Sequence, residues 1–119
     1  MREYAHDVGS EATGLELPTG AQVAAATMAF ALLADPTRLR LLWLLGSGDL
    51  DVGTLARATG AAPAATSQHL AKLRLAGLVT VRHDGRRHVY AVRGGHVRRL
   101  ITEALHQADH TTSGQPDHD

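Results

Sequence analysis

Residues Ala61–Tyr90 read AAPAATSQHLAKLRLAGLVTVRHDGRRHVY. Pro63 suits the first position of a helix, because its fixed φ is already helical and its missing N–H is not needed there. Leu70 and Leu73, with the Ala71 and Leu75 positions, give that helix a packing side as far as about Ala76, and Gly77 ends it. Leu78–Arg82 and His88–Val92 then alternate as strands, with the turn signal Asp84-Gly85 between them. The stretch predicts a short amphipathic helix followed by a β-hairpin.

Working outward, Val52–Thr59 predicts a second short helix with Val52, Leu55 and Ala56 facing inward. Gly60 follows where a helix end favours a left-handed residue. Two helices across a tight Gly-containing turn make a helix-turn-helix. Further upstream, Asp35-Pro36 reads as an N-cap followed by proline at the first helical position. Leu39, Leu41, Leu42, Leu44 and Leu45 fill that mostly buried helix, and Gly46-Ser47-Gly48 stops it. A preceding helix runs from Gly20 to about Ala34 on Val23, Met28, Leu32 and Leu33. Downstream, Gly94-Gly95 breaks the chain, and a last helix, His96–His110, carries the stripe Val97, Leu100, Ile101, Ala104 and Ala108. The fold class is mainly α with a small β-hairpin: a winged helix-turn-helix, homodimeric through its terminal helices. The expected organisation is a flexible N-terminal tail at 1–19, a DNA-binding and dimerisation domain at 20–110, and a flexible C-terminal tail at 111–119.

Charge gives this layout a partner. Between Val52 and Thr102 there are nine Lys and Arg residues and one acid, Asp84, whereas the whole chain has 12 of each sign. A net charge of zero thus conceals a basic block with acidic ends, the footprint of a protein that meets phosphates. The second helix of the pair is expected in the major groove of double-stranded DNA. Its first turns offer Thr66, Ser67, Gln68 and His69 to base edges or phosphates, and glutamine can read adenine through two hydrogen bonds. Lys72 and Arg74 follow toward the backbone, and the hairpin supplies Arg82, Arg86 and Arg87. One such domain reads few base pairs, so a symmetric dimer with recognition helices about 34 Å apart is expected.

The chain of 119 residues has no cysteine, which removes disulfides, thiolate metal sites and thiol switches. No apolar run is long enough to span a membrane and Met1–Glu16 does not resemble a signal peptide, so the expected location is the cytoplasm. No nucleophile–base pair, phosphate loop or paired-carboxylate pocket is present, and an enzyme is not expected. Aromatic residues are few and the core is small, a further reason to expect a dimer.

Three segments carry a resemblance. Leu33–Leu42 (LADPTRLRLL), Ser67–Leu73 (SQHLAKL) and Ala76–Val79 with Arg82–Arg87 (AGLV, RHDGRR) are similar to the ArsR/SmtB metal-sensing repressors. The likeness spans about Gly20 to His110. It implies a homodimer that binds operator DNA and releases it when an effector metal binds.

The family's thiolate site would lie near Asp51–Gly53, where this chain has no cysteine, so sensing of arsenic, cadmium or lead through that site is excluded. The other main site lies on the last helix. His96 and His110 are fourteen residues apart, about 21 Å along a helix, and cannot share an ion within one chain. They can share one across an antiparallel pair of these helices. The family's zinc pattern falls here on Gly94, His96, Gln107 and His110, lacking its first carboxylate and one histidine. The chain more closely resembles the KmtR-like nickel/cobalt sensors of actinobacteria. That resemblance implies His96, Asp109, His110 and the tail residue His118 as ligands, with Asp117 or Asp119 adding an oxygen and His106 as a substitute. Nitrogen and oxygen donors in excess of four suit Ni(II), with Co(II) or Zn(II) as alternatives. His6 is an additional candidate donor, and His83 and His88 belong with the wing rather than with a metal.

Three other readings stay open. One is a family member with a degenerate or zinc-type site. Another is a member that acts only with an additional protein partner. The third is a metal-buffering protein that uses its His-containing ends, against which the basic block argues.

Overall fold

Thr19 and Gln22 open the first helix reciprocally: the Thr19 N–H donates to Gln22 Oε1 (2.9 Å) and the Gln22 N–H to Thr19 Oγ1 (3.1 Å). This capping box satisfies two amides that have no partner within the helix. The computed structural model describes residues 14–114. The chain forms two units, residues 1–33 and 34–119, and within the described part of the first lies α1, Gly20–Leu33.

In the second unit, Asp35 caps α2 (Pro36–Leu45) by accepting from the Arg38 N–H at 2.9 Å, with Pro36 opening the helix as expected. A two-residue strand, β1 (Leu50–Asp51), leads into α3 (Val52–Thr59), which Asp51 caps through the Thr54 N–H. Gly60 takes φ +76°, and the N–H groups of Gly60 and Ala61 both return to the Ala56 carbonyl. The next helix, α4 (Pro63–Leu75), follows. It closes with the Leu78 N–H on the Leu73 carbonyl and the Gly77 N–H on the Arg74 carbonyl, both at 2.9 Å. This paired closure needs the left-handed backbone that Gly77 supplies at φ +79°.

The wing consists of β2 (Val79–Asp84) and β3 (Arg87–Val92), paired antiparallel from Val79–Val92 to Asp84–Arg87. The two-residue turn is therefore Gly85-Arg86, one residue later than the sequence signal placed it. Both strands extend to that turn. β1 pairs with β3 at Leu50–Tyr90 and Asp51–Val89, giving a three-stranded sheet in the order β1-β3-β2. The last helix, α5, runs from Gly95 to Ser113 with Gly114 left-handed after it. Residues 111–113 are helical, where a flexible tail was expected.

The core draws on all the helices of this unit and on the two wing strands: Leu41, Leu42 and Leu45; Leu55 and Ala56; Leu70 and Leu73; Val79, Val89 and Tyr90; and Ile101. Each fully buried leucine contributes roughly 1.5–3 kcal/mol of transfer free energy. On α4 the inward row is Thr66, Leu70 and Leu73, spaced i, i+4, i+7. That phase turns Ala71 outward and leaves Leu75 90% exposed, so neither packs as the sequence suggested.

Candidate nucleic-acid interface

Burial of one row of α4 decides what its other faces can do. Ser67, Gln68, Lys72 and Arg74 are exposed, each carrying a hydrogen-bonding group or a cation. Thr66 is not: it is 0% exposed, and its hydroxyl donates to the Ala62 carbonyl one turn back at 3.0 Å. Thr66 is therefore a packing residue rather than a reader of base edges. His69 is half-buried, with its ring turned toward the start of α2, where Nδ1 lies 3.2 Å from Arg38 Nη1. Lys72 and Arg74 stand in the last turn of α4, where positive charge also complements the helix dipole.

The wing and the recognition helix meet at a cleft of about 320 Å³ lined by Ser67, Arg86, Arg87 and His88 together with Asp51, Val52 and Gly53. Of the expected DNA-side groups, Ser67, Arg86 and Arg87 thus share one concavity. Intrachain acids occupy part of the positive charge. Arg82 donates to Asp49 at 2.7 Å, and Arg87 lies 3.6 Å from Asp51 and 3.8 Å from Asp84. His83 and His88 sit opposite each other across the hairpin, with ring centroids 4.5 Å apart.

Among the described metal candidates, His96 lies in the first turn of α5, exposed, with Nδ1 2.9 Å from Arg99 Nη2. His106 and Asp109 are exposed and His110 is half-buried near the other end. His96 and His110 lie toward opposite ends of one unbroken helix of 19 residues. Among the described residues, no group of three or more His, Asp or Glu side chains is gathered to hold an ion. His118, Asp117, Asp119 and His6 lie outside the described residues. The expected apolar stripe on α5 divides: Ile101 is buried in its own core, whereas Leu100, Ala104 and Ala108 face outward.

Residues 35–81 match the family model described as bacterial regulatory protein, arsR family. The chain is 41% identical over 97 residues to the HTH-type transcriptional regulator KmtR of Mycobacterium tuberculosis, covering 82% of this chain and 75% of that one. It is also 39% identical to NmtR of the same organism, over 87% and 83% of the two chains. This chain belongs to the ArsR family. Among solved structures, the homodimeric winged helix-turn-helix domain of Mb0332 from Mycobacterium bovis matches with a TM-score of 0.73 and 31% identity, over 83% of this chain and 92% of that one. The AntR antimony-specific transcriptional repressor matches with a TM-score of 0.76 and 31% identity, over 82% and 89%.

As a member of the ArsR family, the chain is a DNA-binding transcriptional regulator and not an enzyme. No helix among its described residues is long and apolar enough to cross a membrane. Sequence reasoning missed the acids beside the wing arginines. Asp49 and Asp51 lie just outside or at the edge of the basic block, and only the return of β3 beside β1 brings them to the wing arginines. Arg38 was missed for a similar reason: 31 residues separate it from His69. Asp51 has its carboxyl held below the ordinary aspartate range, first by its side-chain and backbone hydrogen bonds with Thr54 and then by the charges of Arg87 and Arg57.

Proposed function

We propose that this regulator is a homodimeric repressor whose operator affinity falls when Ni(II), or alternatively Co(II) or Zn(II), joins the α5 helices of two chains. Residues 20–113 act as the DNA-binding and dimerisation domain, with 1–19 and 114–119 as tails. Ser67 and Gln68 read base edges. Lys72, Arg74, Arg82, Arg86 and Arg87 meet phosphates. The expected ligands are His96 from one chain with Asp109 and His110 from the other, helped by His106 and by His118 of the tail.

The observation that carries the metal reading is the placement of His96 and His110 at opposite ends of one unbroken helix whose outward face is Leu100, Ala104 and Ala108. Two such helices packed antiparallel bring the start of one beside the end of the other. The donor chemistry fits a borderline dication: imidazole and carboxylate at exposed or half-exposed positions, with no thiolate in the chain. A bound dication supplies a concentrated positive charge and a fixed set of ligand directions. His96 would leave Arg99 to serve as a ligand, and the α5 pair would then hold the two recognition helices at a spacing that suits DNA less well. A coupling of about 1–3 kcal/mol suffices to change affinity several-fold to a hundredfold. The double substitution His96→Ala/His110→Ala should leave metal-free DNA binding intact and abolish the response to Ni(II). A normal response in that variant rejects the site.

A second reading rests on Gly94 and Gln107, which stand where the zinc pattern has ligands, and on the Arg99 guanidinium beside His96. It describes a regulator with a degenerate site, or one that acts through a further protein partner. Titrating Ni(II), Co(II) and Zn(II) against the metal-free dimer separates the two readings. Binding no tighter than that of a His-containing peptide favours the second.

A further inference from the structure

His69 stands in the recognition helix directly after Gln68, yet its polar contacts run back into the protein. Nδ1 is 3.2 Å from Arg38 Nη1 and 4.0 Å from Asp35 Oδ2. The two contacts make opposite demands on that nitrogen. A guanidinium only donates, so Arg38 requires a lone pair on Nδ1, whereas an ion pair with Asp35 requires a proton there. The shorter contact governs: an Arg38 N–H donates to Nδ1, the arrangement open to the tautomer whose proton is on Nε2. Asp35 completes the arrangement by accepting from the backbone N–H of Arg38 at 2.9 Å. Its side chain is 29% exposed and that of His69 24% exposed, so solvent only partly competes for these contacts. Asp35 is held below the ordinary aspartate range, first by the Arg38 backbone hydrogen bond and secondarily by the Arg38 charge.

The hydrophobic row of α4 fixes which face is buried, but apolar burial carries no directional preference of its own. A directed polar contact at the DNA-reading end opposes such movement. Base readout requires side chains held to within about 0.5 Å, so a contact of this kind acts on affinity without touching DNA. We infer that His69 is a positioning residue, and that Asp35, Arg38 and His69 form a strut holding the reading end of the recognition helix against the start of α2.

The inference rests on the DNA-binding reading of this chain, and its test starts from that point. The probe is a duplex recovered by in vitro selection with the full-length wild-type protein; if no duplex is enriched, the DNA-binding reading fails before the strut is tested. On the selected duplex, Arg38→Ala and His69→Ala should each raise Kd about tenfold, and the double variant should bind no worse than the weaker single one. His69→Gln, whose amide oxygen can accept from Arg38, should return to within about threefold of wild type. The slope of log K against log salt should stay at the wild-type value for all of them, because no phosphate contact is lost. Measurements are made well below each variant's thermal midpoint, so that lost folding cannot be read as lost affinity.

Three results overturn the inference. In the first, His69→Ala weakens binding while Arg38→Ala does not, which makes His69 a direct reader. In the second, the two effects add, or Arg38→Ala flattens the salt slope by about one contact, which makes Arg38 a phosphate ligand. In the third, both single variants bind as wild type does, which reduces the contact to fold stability.

Discussion

Arg82 donates to Asp49 across 2.7 Å and so ties the β2 strand of the wing to the turn ahead of β1. A cation of the wing is thereby matched by an acid of the same chain. The two side chains are 59% and 46% exposed, and such a pair is worth at most about 1 kcal/mol to folding. Asp49→Ala should barely move the thermal midpoint, yet strengthen binding to a duplex of arbitrary sequence a few-fold. It should also steepen the dependence on salt by up to about one contact. Fluorescence anisotropy at several salt concentrations measures both. Unchanged affinity and slope would show that Arg82 stays away from phosphates.

Thr66 and Gln68 are two residues apart on α4 and should respond to mutation in opposite assays. Gln68→Ala should leave stability at wild type and cost about 1–3 kcal/mol of discrimination at a single base pair. Thr66→Leu enlarges a side chain with no exposed surface; it should destabilise the fold by about 1–3 kcal/mol. Urea titrations and binding to a panel of single-base operator variants provide the two readouts.

Leu70 has no exposed surface and lies beneath the middle of the recognition helix. Leu70→Ala should cost about 2–5 kcal/mol, a large part of the roughly 5–15 kcal/mol that holds a typical domain folded. The expected result is a urea midpoint lowered well beyond that of any surface variant. A shift under about 0.5 kcal/mol would contradict the packing described for this helix.

Asp35 and Asp51 both cap helices, and both have pKa values lowered from the ordinary 3.8. A lowered folded-state pKa means that their stabilisation is fully present above the ordinary value. It is lost as the pH falls through 3.8 toward the folded-state values. Stability should therefore be insensitive to these two groups above about pH 5 and should drop below it. Replacing both with Asn keeps a capping oxygen but removes the titration. The double variant should show a shallower acid limb in urea midpoints measured from about pH 3 to pH 7. An acid limb identical to wild type would place the acid sensitivity elsewhere.

Features fixed by one or two adjacent residues were legible in the sequence. Asp35-Pro36 marks the start of α2, Gly60 and Gly77 mark left-handed helix ends, and Leu70 and Leu73 mark the inner face of α4. The hairpin was legible too, although cross-strand pairing of Asp84 with Arg87 moved its turn by one residue. β1 was not, because two residues have no period; it exists only where Tyr90 and Val89 return beside it. Thr66 and His69 look like exposed readers in the sequence because the spacing of Leu70 and Leu73 alone does not show how far the buried row extends. Nor does it show that α2 lies beside His69. Contacts between residues some thirty positions apart, such as Asp49 with Arg82, leave no local pattern.

The row Thr66, Leu70 and Leu73 ties the folding of α4 to its inner face, so positions 67, 68, 71 and 72, all exposed, are left out of that requirement. A new operator preference can then arise through single substitutions at these positions while every intermediate protein stays folded. Insertion of one residue between Gln68 and Leu70 is a different event, since it turns Ser67 and Gln68 by about 100° relative to Leu70 and Leu73. For a duplicated copy of this regulator, divergence in target is open by point mutation and closed by insertion or deletion.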